Sequence, residues 1–320
     1  MPLSRSSPRL ASVLVFVATL WHPAAAAGQE NPYSPTLLAT VRKAAQALPG
    51  ARPRELRYLV VAEASLRLDM AVADAGPDPV TIVFPVFQIR FADRWIMVDA
   101  ALDSAAMVET YGPRAGAGYS RVRYDSVQIA LRDAETNVLT HEHLDHAIGV
   151  QRGPYFERVA SRTVLTKAQL QSVLSPPARA FFPLSRDSAS RFRVIDYPLV
   201  HALAPGVVLV RAPGHSPGSQ FVYVRLADDR EVLLVGDLVW MMPGLTMNRQ
   251  KPRAASDDIK EDRDAIQREI DWVRSLMEAG VVAVTPSHDK GALDALVAKG
   301  VLRVGLDLAA ADVSRVRGVE

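Results

Sequence analysis

Short apolar, β-rich runs alternate with polar and Pro/Gly breaks along most of this chain. Residues 58–64 form a strand-like run, Gly76-Pro77-Asp78-Pro79 a turn, and residues 81–91 alternate as a second strand. Ala92-Asp93-Arg94 then predicts a hairpin turn into a strand over 95–99. Val127, Ala130 and Leu131 fall at helical spacing and predict a helix over 125–134, followed by a short buried strand over 137–140. Further strands are expected at 163–166, 207–211, 221–226, 231–235 and 281–285, with the third and fourth of these paired over Asp228-Asp229. Helices are expected around 36–48, 167–174 and 291–299, and residues 175–192 read as an irregular Pro- and Phe-bearing insert, either a lid, a substrate wall or a long connection. The clearest helix spans 256–279. Ser256 is its N-cap, Asp257 and Asp258 lie in its first turn, and Ile259, Ile266, Ile270, Val273 and Met277 line one face before Gly280. Mixed strands with helices between them predict an α/β fold, a layered sandwich of helix, sheet, sheet and helix.

The first thirty residues stand apart. Arg5 and Arg9 precede an apolar run over residues 10–21, then His22-Pro23 and a stretch of Ala, the pattern of a secretory signal peptide cleaved after Ala26 or Ala27. That run is too short to span a bilayer comfortably. The division expected is therefore a signal peptide over 1–27, an N-terminal extension over 28–56 and one folded domain over 57–320. The sequence contains no cysteine, which excludes disulfides and a lipid-modified thiol. Removing 1–27 takes away two Arg and no acid, leaving 35 basic against 35 acidic groups. A balanced charge gives no reason to expect nucleic acid or an anionic membrane surface as partner. The mature protein is expected to be exported, periplasmic or secreted, without stable membrane insertion, and to act on a small molecule. Its oligomeric state is not readable.

Three of the seven histidines lie within six residues, in Thr140-His141-Glu142-His143-Leu144-Asp145-His146. In extended backbone, alternate side chains share a side, so His141 and His143 can converge on one ion while Asp145 and His146 reach a second. Imidazoles and a carboxylate without thiolate suit zinc first, then manganese, iron or cobalt. Glu142 is expected to face away from the metals, either solvated or behind a ligand. His215 sits in a tight Pro213-Gly214-His215-Ser216-Pro217-Gly218 turn, Asp237 ends an apolar strand, and His288 follows the strand over 281–285. All seven of these groups lie just beyond strand ends, where open α/β layers place sites. His201 lies outside every such landmark and reads as a surface or packing residue.

The His-x-His-x-Asp-His run resembles the signature of the metallo-β-lactamase-fold superfamily, and His215, Asp237 and His288 follow in matching order. The resemblance covers roughly residues 58–299 and implies a four-layer αββα sandwich. It implies that His141, His143 and His215 bind one ion, that Asp145, His146 and His288 bind the other, and that Asp237 bridges them. Two divalent ions, with zinc expected, would then supply a hydroxide nucleophile between them, and Asp145 could take up and return the proton. Asp99 corresponds to the acid of the family's usual Asp-Thr-Gly strand end, here Asp99-Ala100-Ala101; it is expected either to orient a ligand His or simply to form the turn.

One scaffold of this kind hosts many reactions. Asp237 points away from the true β-lactamases, which generally lack it, and His143 away from flavodiiron proteins, which carry Glu there. The pattern resembles most the lactonase branch that opens N-acyl-homoserine lactones. Many of its members carry Tyr three residues beyond the bridging Asp, where this chain has Trp240. Trp240, Met241 and Met242 are candidates for an apolar acyl wall or for core packing. The reading is a dinuclear hydrolase of lactones or carboxylic esters. Hydrolysis of β-lactams, phosphodiesters or sulfate esters, or a non-catalytic metal-binding accessory role, are the alternatives.

Overall fold

The structure, a computed structural model, describes residues 31–308 other than 179. The expected signal peptide, residues 1–27, lies outside them. Seven strands build one sheet, in the order Leu302–Val304 (β12), Glu55–Arg67 (β1), Pro79–Arg90 (β2), Trp95–Val98 (β3), Thr136–Val138 (β4), Thr163–Thr166 (β5) and Arg193–Ile195 (β6). Five build the other, in the order Ala283–Thr285 (β11), Glu231–Leu234 (β10), Gln220–Arg225 (β9), Val207–Arg211 (β8) and Val200–Ala204 (β7). β1, β2 and β3 pair antiparallel, β3 to β6 run parallel, and β10 and β11 are a parallel pair.

Burial explains the layering. Along β8, Val207 and Leu209 point into the core between the sheets, while Val208 and Val210 point the other way, under the helices Leu37–Ala44 and Arg263–Glu278. A strand apolar on both faces is what a sheet covered on both sides requires. On the far side of the seven-stranded sheet, Phe84, Val86, Met97 and Leu165 pack with the helices Ser104–Tyr111, Arg121–Asp133 and Leu144–Gln151. Three apolar layers thus separate four layers of structure, the expected αββα sandwich.

Most predicted elements lie within a few residues of where the pattern put them. β6, β7 and β12 were not expected, and each is short and partly exposed, so its apolar signal is weak. The predicted helix over 256–279 is corrected: it is two helices, Arg253–Ile259 and Arg263–Glu278. Lys260 between them is left-handed (φ 64°), which ends the first helix, and Asp262, not Ser256, caps the second by accepting from the backbone N–H groups of Asp264 and Ala265. Ser256 lies inside the first helix and is buried. The break turns Glu261 inward. The helix Leu144–Gln151 begins inside the histidine run, directly after His143, and turns Asp145 and His146 away from the extended part.

Candidate metal centre

The candidate ligands lie beyond the C-terminal ends of strands, five on the loops that follow and two on a helix. β4 runs into His141 and His143, and the helix that starts at Leu144 swings Asp145 and His146 round to the same spot. β8 leads into the turn bearing His215, β10 through Gly236 (φ 55°) to Asp237, and β11 to His288. The side chains gather as two sets, His141, His143 and His215, and Asp145, His146, Asp237 and His288, with the ligand atoms of each set within 4.8 Å of one another.

Asp237 joins the sets. Its Oδ2 lies 3.9 Å from His141 Nε2, 3.7 Å from His215 Nε2 and 3.1 Å from His288 Nε2, while its Oδ1 lies 3.3 Å from His146 Nε2. Asp145 Oδ2 is 3.7 Å from His146 Nε2 and 3.5 Å from His288 Nε2.

What lies behind the imidazoles fixes which nitrogen faces inward. His288 Nδ1 is 2.7 Å from the Val83 carbonyl, His146 Nδ1 is 2.9 Å from Asp99 Oδ2, and His215 Nδ1 is 2.7 Å from Glu261 Oε1. All three partners only accept, so each Nδ1 carries the hydrogen and donates it, and in the neutral ring Nε2 presents a lone pair to the interior. Lone pairs then face other ring nitrogens, His146 Nε2 to His288 Nε2 at 3.4 Å and His215 Nε2 to His143 Nδ1 at 3.0 Å. His141 Nε2 and His143 Nε2 are buried with no hydrogen-bond partner. Orphaned buried acceptors are costly, and inward lone pairs with a central carboxylate are the donor set divalent cations need. The residues present fit two such ions.

The charge environment agrees. Burial lowers His141, His143 and His215 below the usual imidazole range, which keeps them neutral. Burial also opposes charge on His146 and His288, but Asp237 and Asp145 outweigh it and raise both, so Nε2 in that half favours a positive partner, either a proton or a metal ion that displaces it. Asp237 in turn is held well below the carboxylate range, against its burial, by His288 and His146.

Several residues near the site were not anticipated. Asp99 was, as one of two possibilities, and the structure places it behind His146; it also accepts from Thr140 N and Oγ1. Glu142 faces away from the cluster but is not solvated: it is fully buried and accepts from Ser216 Oγ at 2.8 Å and Gly218 N at 3.1 Å, clamping the His215 turn. Glu261 is hidden by the single-helix reading, because Ile259 and Ile266 stay in helical phase across the break; Asp262, a residue type suited to an N-cap, was the available signal. Lys251, also buried, pairs with Glu261, and burial of that carboxylate is outweighed by the ammonium, which takes it down to about 2. From the 175–192 insert, Phe181 stands edge-on to His143 at 4.6 Å, a wall of the site. Tyr111, at the end of the helix Ser104–Tyr111, donates its hydroxyl to Asp145 Oδ2 at 3.2 Å. Met241 is buried in the core, with Trp240 partly buried against it, so packing accounts for both. His201 stacks on Tyr197, away from the cluster.

Residues 86–271, more than half of the chain, match the model of the metallo-beta-lactamase superfamily, and the chain belongs to that superfamily. No curated protein matches the sequence. Among solved structures, the chain is similar to an N-acyl homoserine lactone hydrolase with the product N-hexanoyl-L-homoserine bound at its catalytic metal centre, at 14% identity and TM-score 0.59, over 81% of this chain and 100% of that one. It is similar to a probable metal-dependent hydrolase from Staphylococcus aureus, at 14% identity and TM-score 0.59, over 76% and 91% of the two chains. It is also similar to AidC, a dizinc quorum-quenching lactonase, at 16% identity and TM-score 0.53, over 75% and 90%. At such identities the likeness establishes the fold.

Proposed function

We propose that the chain, a metal-dependent hydrolase of the metallo-beta-lactamase superfamily, opens lactones or simple carboxylic esters at a pair of divalent ions, zinc by donor chemistry. The observation that carries this reading is Asp237, whose two oxygens face both ligand sets. His141, His143 and His215 would hold one ion, Asp145, His146 and His288 the other, with Asp237 shared. When bound, two such ions supply a water acidic enough to attack at neutral pH and positive charge for the developing oxyanion.

The chain's own residues do the rest. The Val83 carbonyl, Asp99 and Glu261 each hold an Nδ1 hydrogen, so three rings present Nε2 inward without a search through rotamers or tautomers. Asp145, with 13% of its side chain exposed, is the most open of the two carboxylates and is placed to take up and return a proton at Oδ2. Tyr111 reaches that same oxygen and would steady it. Phe181 excludes water on the His143 side.

Lactone hydrolysis is named for two of the similar structures, the N-acyl homoserine lactone hydrolase and AidC, and this is why lactones come first among the candidate substrates of a fold that hosts many reactions. A panel of lactones, aryl esters, β-lactams, phosphodiesters and sulfate esters, run on metal-loaded and chelated protein, tests it. Chelator-sensitive turnover highest on a lactone or ester is the expected result. Preference for any of the other classes would overturn the substrate assignment, and absence of turnover on all would favour the accessory role. We also propose export, on the strength of Arg5, Arg9 and the apolar run that follows. The extracytoplasmic protein should begin at Ala27 or Gly28 by intact mass; a chain retaining Met1 there would contradict it.

A further inference from the structure

Lys251 is one of the least exposed side chains in the protein, and so is its partner Glu261, with both side chains at 0% exposure. A buried ammonium is costly unless every proton finds an acceptor. Lys251 Nζ meets three: Glu261 Oε1 at 2.7 Å, the Asp237 carbonyl at 2.6 Å and the Leu238 carbonyl at 3.3 Å. Three donors and three acceptors leave nothing over. Glu261 Oε1 is also the oxygen that His215 Nδ1 contacts at 2.7 Å, while Glu261 Oε2 has no partner. One continuous path therefore runs from the His215 ring through Glu261 Oε1 and Lys251 Nζ to the backbone of Asp237. The ring of Trp240 lies 5.4 Å from Nζ.

We propose that Lys251 is a positioning residue that fixes the His215 set against the shared carboxylate, so that loss of this one ammonium loosens both metal ions. Two apolar side chains fill a buried ion pair's space at little or no loss of stability. An apolar side chain cannot, however, donate in two directions at once. Glu261 touches His215 directly and reaches the Asp237 backbone only through Lys251. Glu261→Gln keeps an oxygen that accepts from Lys251 Nζ, so the Lys251 bond to Asp237 survives that change. Lys251 acts on both, because it holds Glu261 with one proton and the Asp237 backbone with another. The left-handed turn at Lys260 that splits the two helices is what brings Glu261 to this position. The consequence is a hierarchy: removing the Glu261 charge should disturb one ion, and removing Lys251 should disturb two.

This inference rests on the dinuclear reading above, and the test separates the two. Metal-free full-length wild type, Glu261→Gln and Lys251→Met are titrated with cobalt(II), followed by visible absorption, with zinc(II) competition to give the affinity of each phase. Wild type should take up two ions. Glu261→Gln should weaken one phase by about 10–100-fold and leave the other, and Lys251→Met should weaken both by a similar factor. The cobalt bands should shift in one phase for Glu261→Gln and in both for Lys251→Met, a signature that loss of folding stability alone does not produce. If Lys251→Met gives no cooperative melt, Lys251→Met/Glu261→Gln, which buries no lone charge, replaces it and is compared with Glu261→Gln in the same way. Two wild-type ions with Lys251→Met changing one phase, or neither, would overturn the coupling and leave the dinuclear reading standing. A wild type that binds fewer than two would overturn both.

Discussion

Asp99 Oδ2 lies 2.9 Å from His146 Nδ1, and Thr140 Oγ1, which lies 2.9 Å from that same oxygen, is 3.0 Å from His141 Nδ1. The Thr140 hydroxyl can donate to the carboxylate while accepting from His141, so one buried acid orients a ring in each ligand set. Asp99→Ala should weaken metal binding by about 10–100-fold, and should cost roughly 1–3 kcal/mol of stability because the Thr140 N–H loses its acceptor. Competition titration and denaturant unfolding read the two effects. Unchanged metal affinity would show that Asp99 only shapes the strand end.

Gly149 joins the same strand end to the helix carrying His146. A Cβ there would stand 2.0 Å from the Ala100 carbonyl oxygen, a backbone atom that cannot move aside, while Ala100 N donates to the His146 carbonyl at 2.7 Å. Gly149→Ala should cost at least about 1–3 kcal/mol as an overpacked contact and should lower metal affinity as well. Stability and affinity within error of wild type would mean that the helix shifts freely and does not set the position of His146.

The Tyr111 ring is partly exposed, but its hydroxyl is turned in against Asp145, and burial raises it well above the usual phenol range. Removing it relieves a desolvation cost that offsets the lost hydrogen bond in folding. Tyr111→Phe should leave the unfolding midpoint within the range of an ordinary surface change, about 0.5 kcal/mol. A hydrogen bond to a charged group is worth about 1.5–3 kcal/mol, so turnover should fall at least tenfold if that bond counts in the reaction. Steady-state kinetics on the preferred ester decide it, and equal turnover would leave the phenol as packing against Phe84.

Glu269 gives a pH dependence that does not involve the ligands. Its burial raises the carboxyl from 4.5 to about 8, although Gly214 N and Tyr33 Oη both donate to Oε1. The folded chain keeps this proton up to about pH 8, whereas the unfolded chain loses it above about 4.5. The folded state therefore binds more protons within that window, and stability falls as pH rises through it, by at most about 1.4 kcal/mol per pH unit. Glu269→Gln keeps the acceptor and removes the titration. Melts from pH 5 to 9 should show the variant gaining on wild type as pH rises; a constant difference would contradict the assignment.

How much of this was legible beforehand follows from distance along the chain. The seven candidate ligands stand out because they cluster in one dense histidine run or follow a run of buried β-branched or apolar residues, where His or Asp has few structural reasons to be. Local pattern also gave the layered α/β fold and the hairpin over Asp228-Asp229. What supports the ligands is a matter of tertiary contact. The Val83 carbonyl reaches His288 across 205 residues, and Glu261 reaches His215 across 46. Lys251 and Tyr111 sit in sequence stretches that look like ordinary solvated surface. The helix over 256–279 misled for a physical reason: its apolar spacing continues in phase across a break that only the left-handed Lys260 and the cap at Asp262 reveal.

The central claim is that Asp237 is shared by two ions. Asp237→Ala removes the one anion that faces both ligand sets and leaves two cations with nothing between them. The measurement is the metal-to-protein ratio of wild type and Asp237→Ala after reconstitution and gel filtration, with His201→Ala as control. Wild type and His201→Ala should carry close to two divalent ions per chain, and Asp237→Ala one or none. Two ions retained by Asp237→Ala, or a reproducible single ion on wild type, would contradict the account.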